Sequence, residues 1–267
     1  GLVVLENNKV RIGIARRGGH IAKAELKEYQ AYGDSINPLC LFQGEESSLN
    51  FTLVTNTNRI LATQNLYFAG ANQTTDAQGN TTLTMRLNTN IEDCYLDFVY
   101  TLPADDYMVS MSIQPHNMQL ALAQNMSSIE MQWNQSIPQQ EKGRKFEERY
   151  AQLQYMFVGS DIEKLSEAKA DRKQESARIK WIGYKDQFFS TVMIANDGFE
   201  STEMESTPAG AHTRYIKEYK TKTSLPLDVT GKKSTDIRYY LGPNHYNTLK
   251  AYDKEVAKEE KLHLNEL

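Results

Sequence analysis

The chain has 267 residues, a net charge of −4 and a pI near 5.8. Lys and Arg are interspersed with Asp and Glu, which excludes the basic face or stripe of a nucleic-acid binder. No apolar run approaches the roughly 20 residues needed to cross a bilayer. The chain opens at Gly1 without a signal-peptide pattern, as would a fragment whose targeting segment lies outside it.

Taken in chain order, period-2 alternation dominates. Val10, Ile12 and Ile14 share one face, and Gly18-Gly19 then turns the chain. Ala77-Gln78-Gly79-Asn80 reads as a hairpin tip before a strand that sets Leu83, Met85 and Leu87 against Thr84, Arg86 and Asn88. Cys94, Leu96, Phe98 and Tyr100 share a face, as do Tyr107, Val109, Met111 and Ile113 beyond the Ala104-Asp105-Asp106 turn. Ile129, Met131 and Trp133 repeat the pattern, followed by Leu153, Tyr155 and Phe157. Ile179–Tyr184 leads into the apolar run Phe188–Ile194, and later strands fit Thr213–Tyr219 and Thr235–Leu241.

Alternation with one wet face predicts antiparallel sheets, with Phe188–Ile194 as a central strand covered on both faces. The expected fold class is mostly β: two large antiparallel sheets packed face to face, with a short C-terminal helical region. The β body spans residues 1–242 and a charged connector spans 243–267. Residues 160–178, rich in Lys, Glu, Asp and Ala, read as a short helix or a mobile loop. In the connector, Tyr246, Leu249, Tyr252, Val256 and Leu262 recur at roughly helical spacing. The like-charge pairs Lys254–Lys258 and Glu255–Glu259 give that helix no support, so its apolar stripe needs a surface to dock on.

The chain carries no P-loop, dinucleotide-binding glycine motif, zincin motif or nucleophile elbow. Arg17-Gly18-Gly19-His20 lacks a following helix N-terminus and reads as a turn. None of His20, His116, His212, His245 and His263 has a second ligand at metal spacing. Cys40 and Cys94 read as two small buried thiols, with a disulfide between them in an oxidising compartment as the alternative. Trp133 and Trp181 read as core residues, with a ligand groove as the alternative. No catalytic, cofactor or metal residues are expected.

Three segments together resemble one family. Val10-Arg11-Ile12-Gly13-Ile14-Ala15-Arg16-Arg17-Gly18-Gly19, continuing to Leu26-Lys27-Glu28-Tyr29, is similar to the start of the large periplasmic domain of YidC-type membrane protein insertases. Trp181-Ile182-Gly183-Tyr184-Lys185-Asp186-Gln187-Phe188-Phe189 resembles the family's strand pair near the end of the domain, with Phe188 in place of Tyr. Gly242-Pro243-Asn244-His245-Tyr246 resembles the turn and helix that lead towards the second transmembrane segment.

The resemblance implies a β-supersandwich at the periplasmic face of the bacterial inner membrane, tethered by flanking helices. It implies a non-catalytic role in inserting and folding membrane proteins. Its implied partners are Sec translocon accessory subunits and nascent membrane proteins, and no nucleic acid. Arg17, Gly18, Gly19, Trp181, Phe188, Gly242, Pro243, Tyr246, Leu249 and Tyr252 are the expected structural or interface residues. The alternative is a carbohydrate-binding or aldose-epimerase-like supersandwich, which needs a histidine and a carboxylate converging on one sheet face. His116 and His212 are its only candidates.

Overall fold

A computed structural model describes every residue except Ser160. The strands are β1 (Leu2–Glu6), β2 (Val10–Ala15), β3 (Ile21–Leu26), β4 (Leu39–Gln43), β5 (Ser47–Val54) and β6 (Ile60–Ala62). Next come β7 (Ala69–Thr75), β8 (Thr81–Asn88), β9 (Tyr95–Leu102), β10 (Met108–His116), β11 (Ser128–Pro138) and β12 (Gln152–Phe157). The last six are β13 (Ile162–Lys164), β14 (Asp171–Glu175), β15 (Ile179–Lys185), β16 (Phe189–Pro208), β17 (Tyr215–Pro226) and β18 (Thr235–Pro243). Helix α1 (Arg144–Tyr150) precedes β12, and α2 (Tyr246–Lys250) follows β18.

Every described pairing is antiparallel. β1–β4 form a four-stranded meander. The other strands form one hydrogen-bonded network, a path from β6 to β7 with β12–β15 branching from β16, and the 20-residue β16 bends it into two sheets. Its first half, Phe189–Ala195, pairs with β18, and Ser190–Ile194 within it pairs with β15. Its second half, Glu200–Pro208, pairs with β17 and, over Thr202–Ser206, with β14. The bend falls at Gly198 (φ 83°) and Ser201 (φ 51°), where register slips between Glu200 and Glu203. Irregularities of this kind let a strand leave one sheet for another.

The two sheets face each other across an aromatic core. Trp133 on β11 stacks on Tyr184 of β15 with centroids 3.7 Å apart, and Phe51 on β5 meets Phe98 of β9 edge-on at 5.5 Å. The Tyr184 hydroxyl donates across the interface, 2.7 Å from both Trp133 O and Thr221 Oγ1. The expectation of two large antiparallel sheets holds. Phe189–Ala195 is buried along its whole length, as a strand covered on both faces must be.

The short C-terminal helical region is present, and the structure departs from or adds to the expectations at three places. Among the described residues of 160–178 there is neither helix nor loop alone but the edge strands β13 and β14. Edge strands gain their hydrogen bonds from one neighbour and are guarded by charge, so they need no apolar face and read as polar sequence. The connector is not one helix: α2 is followed by short 3₁₀ turns at Ala251–Asp253, Lys258–Glu260 and Leu264–Glu266. Its like-charge pairs and the left-handed Glu255 (φ 60°) interrupt it. Helix α1 has no counterpart in the expected elements; it carries the fully buried Glu147.

Candidate functional site

The Arg17-Gly18-Gly19 turn joins β2 to β3 and fastens the small meander to the sandwich. Gly18 N donates to Leu66 O (2.8 Å), Phe68 N to Arg16 O (2.7 Å), and the Tyr100 hydroxyl to Gly19 O (2.7 Å). Arg17 Nε donates to Gln64 O at 3.2 Å. Gly19 sits at φ 64°, and a β-carbon there would lie 2.9 Å from the Phe68 ring, so conformation and space both require glycine. The neighbouring His20 is largely buried, which lowers its pKa and favours the neutral ring.

The connector runs over the outer face of the sheet containing β15, β16 and β18. Trp181, fully buried, donates its indole N–H to Leu262 O at 2.7 Å. Leu249, Leu262 and Leu264 are buried. Asp253 braces the segment by accepting from Leu262 N (2.6 Å) and His263 N (2.8 Å). The Tyr252 hydroxyl donates to Asp106 Oδ1 at 2.6 Å, and its ring meets Tyr240 edge-on at 5.7 Å. Two glycines clear the path. A β-carbon on Gly183 would stand 3.0 Å from Leu267, and one on Gly242 2.8 Å from the Tyr240 hydroxyl. Tyr240 in turn donates to Pro243 O at 2.5 Å.

Of the expected stripe, Leu249 and Leu262 pack fully and Tyr252 in part, whereas Tyr246 is 53% exposed. Phe188 is also half-exposed, in the β15–β16 turn, and its carbonyl accepts from Asn244 N at 2.7 Å. Phe188 and Tyr246 therefore leave two aromatic rings in solvent at the end where the connector leaves β18.

Between connector and sheet lies a groove of ≈ 560 Å³, lined by Arg178, Lys180, Asp197 and Arg238 from the sheet side and by Tyr252 and Glu260 from the connector. Lys180 Nζ donates to Asn196 O at 2.9 Å, and Arg178 Nη1 to Asp197 O at 3.1 Å. Burial lowers the Lys180 pKa, and the nearby Arg238 charge adds to that effect. Burial also lowers Arg238, opposed by Asp106 and Tyr252. The groove joins residues about 60 positions apart and has no local signal in the sequence.

A second polar feature lies inside the body. Asp186 is 6% exposed and Glu147 fully buried. Glu147 accepts from Gln140 N (2.8 Å) and Glu141 N (3.1 Å), while Asp186 accepts from Gln187 N at 2.7 Å. Burial holds Asp186 well above the usual carboxylate range, and the hydrogen bond and charge of Glu147 push the same way. Burial and the neighbouring Glu147 both favour the protonated form of Asp186.

Of the two histidines of the carbohydrate alternative, one meets a carboxylate, but at an exposed turn and not on a sheet face. His116, at the end of β10, has a carboxylate partner that the sequence pattern did not reveal: its Nε2 is 3.0 Å from Asp93 Oδ1, and its ring stacks on Tyr95 at 4.6 Å. The pair is exposed. His212 is exposed in the β16–β17 loop. Trp133 and Trp181 are core residues, as expected. Cys94 is buried, whereas Cys40 is only partly so, and both are free thiols; burial pushes Cys40 up to about 11. Among the described residues no group of three His, Cys, Asp or Glu could hold a metal. No described helix is long and apolar enough to cross a membrane.

A family model for the YidC periplasmic domain matches residues 2–264. The membrane protein insertase YidC of Parabacteroides distasonis is 47% identical over 267 residues, covering 98% of this chain and 40% of that protein. Its counterpart in Bacteroides fragilis is 40% identical over 263 residues, covering 98% of this chain and 41% of that protein. The chain thus spans about two fifths of the length of these relatives. A solved galactose mutarotase-like protein from Lactobacillus casei has a TM-score of 0.51 at 13% identity, covering 90% of this chain and 100% of that one; the likeness is of fold alone. With the match running from β1 to the end of the connector, the chain belongs to the YidC periplasmic domain family.

Proposed function

We propose that this chain is the non-catalytic periplasmic module of a membrane protein insertase at the bacterial inner membrane. In this reading residues 1–242 form a spacer and docking body, and residues 243–267 form the connector that leads towards a transmembrane segment. The partners are Sec translocon accessory subunits and nascent membrane proteins. The observation that carries the reading is the connector itself, fixed to the sheet by Trp181, Leu249, Tyr252, Leu262 and Leu264. A segment held near both of its ends can pass force and position between the body and whatever is attached to it, which a mobile tail cannot. Phe188 and Tyr246, exposed beside the connector's origin, are the contact residues assigned here; exposed aromatic rings are favoured at protein interfaces.

The test is site-specific photo-crosslinking in the full-length protein in its membrane. Probes at Phe188 and Tyr246 should give adducts with Sec accessory subunits or nascent membrane proteins. Adducts absent there, and absent over the rest of the body, would rule the docking role out. The carbohydrate reading is tested separately by a mutarotation assay with several aldoses, in which measurable turnover would overturn the assignment as non-catalytic.

A further inference from the structure

We propose that the groove between the connector and the sheet binds a phosphate-bearing anion through Arg178, Lys180 and Arg238.

Arg238 on β18 and Trp181 on β15 both pair with Ile194 of β16, so a regular strand would turn Lys180 to the other face; the register slip between Ile179 and Trp181 breaks that alternation at Lys180 and lets Lys180 and Arg238 converge. Both point into the same groove. Among the described residues, none of the three cations forms an ion pair, Arg178 and Lys180 reach only backbone carbonyls, and the Arg238 guanidinium meets no hydrogen-bond partner. A guanidinium carries five N–H donors, so most of this donor capacity is unspent.

The carboxylates nearby offset part of this charge, Asp197 and Glu260 acting on Lys180 and Asp106 on Arg238, but among the described residues none forms an ion pair with the cluster. Asp197 is paired with Lys233 at 3.3 Å, and Asp106 accepts from the Tyr252 hydroxyl at 2.6 Å and from Met108 N at 2.9 Å. Glu259 and Glu260 sit on an exposed turn of the connector. Two like charges held together in a half-buried groove repel each other and have lost part of their hydration. An anion between them reverses both costs. A guanidinium fork opposite a compact ammonium suits a tetrahedral oxyanion, which presents oxygens in several directions. The ≈ 560 Å³ volume lies in the range of pockets for small organic ligands, about 300–1,000 Å³, and leaves room for the alcohol of a phosphate ester.

The test compares this chain with its Arg238→Met and Lys180→Met/Arg238→Met variants, each first checked for folding by circular dichroism. Binding is measured by calorimetry and thermal denaturation with inorganic phosphate and glycerol 3-phosphate, against chloride and acetate at matched ionic strength. Both phosphates should bind and raise the melting temperature of the unsubstituted chain, and the double variant should lose at least about tenfold in affinity. In phosphate-free buffer Arg238→Met should melt no lower than the parent, because it removes an unpaired and partly desolvated charge. Sedimentation with phosphatidylglycerol or phosphatidylcholine vesicles separates the sources. Binding to the former that the double variant loses identifies a lipid headgroup, and binding of free esters without vesicle binding identifies a soluble phosphate. A response equal to that of chloride, or a phosphate response that survives in the folded double variant, would overturn the proposal.

Discussion

Asp186→Asn isolates a single proton held inside the sandwich. In the folded state Asp186 stays protonated well above its usual value near 3.8, because burial and the adjacent Glu147 both disfavour its charge. The unfolded chain releases that proton near the usual value. Between the two pKa values the folded state binds one proton more than the unfolded state, so stability falls as pH rises. The slope is about 1.4 kcal/mol per pH unit for one proton. The contribution is fully present below the unfolded pKa and is lost as pH climbs to the folded one. Asparagine keeps the size and a donor for Glu147 but has no proton to lose. All other titrating groups are shared, so the stability of the variant minus that of the parent should rise with pH at about 1.4 kcal/mol per unit, then level off. From pH 5 to pH 7 that amounts to about 2–3 kcal/mol if the folded pKa lies above the window. Urea denaturation at intervals of half a pH unit, with constant m-values, measures it. A difference that is flat or falls with pH would refute the assignment of the proton to Asp186.

Three further outcomes follow from the packing. Gly19→Ala forces a left-handed residue against the Phe68 ring and should cost about 1–3 kcal/mol, read as a lower urea midpoint; an unchanged midpoint means the turn relaxes freely. Deleting the residues after Gly242 uncovers Trp181, so it should lower the melting temperature and red-shift the tryptophan emission. Leu264→Ala should reproduce part of that loss, about 2–5 kcal/mol, whereas an unchanged melting curve would mean the connector does not stabilise the body. Tyr184→Phe leaves Trp133 O and Thr221 without the shared hydroxyl and should cost about 1–3 kcal/mol, while keeping the ring stack that circular dichroism in the near ultraviolet reports.

Strands with one apolar face were legible in the sequence because alternation is a direct record of the pleat. Leu83, Met85 and Leu87 are buried while Thr84, Arg86 and Asn88 are not. Edge strands without an apolar face left no such record. β7, Ala-Gly-Ala-Asn-Gln-Thr-Thr, is exposed at nearly every position, and β14 is Asp-Arg-Lys-Gln-Glu. The charged connector was legible as helical, but its division into α2 and successive 3₁₀ turns was not, because apolar spacing of three and four arises in both. The Arg-Gly-Gly segment was legible as a turn. That the Tyr100 hydroxyl pins it from 81 residues away was not, since periodicity says nothing about which loop meets which strand. The groove cations and the Asp186–Glu147 pair were invisible for the same reason.

The segments that carried the family resemblance gain a common physical meaning from the connector. Trp181 supplies the indole that holds Leu262, Gly183 leaves the sheet face low enough for Leu267, and Gly242 lets Tyr240 reach Pro243. Asp186 and Asn244 tie the β15–β16 turn to the start of the connector, where Asn244 Nδ2 donates to Asp186 O at 3.1 Å. Each residue is unremarkable as sequence: a strand tryptophan, two strand glycines, a turn aspartate. Together they form the seat of a segment that would otherwise be too charged and too irregular to hold a shape in water. The same seat explains why Phe189–Ala195 is buried at every position, Ser190 and Thr191 included, since an antiparallel strand is covered on its second face only when something docks there. The motif is thus a record of docking between body and connector. A function built on that docking needs no catalytic residue within the β body, only that the body and the connector stay joined.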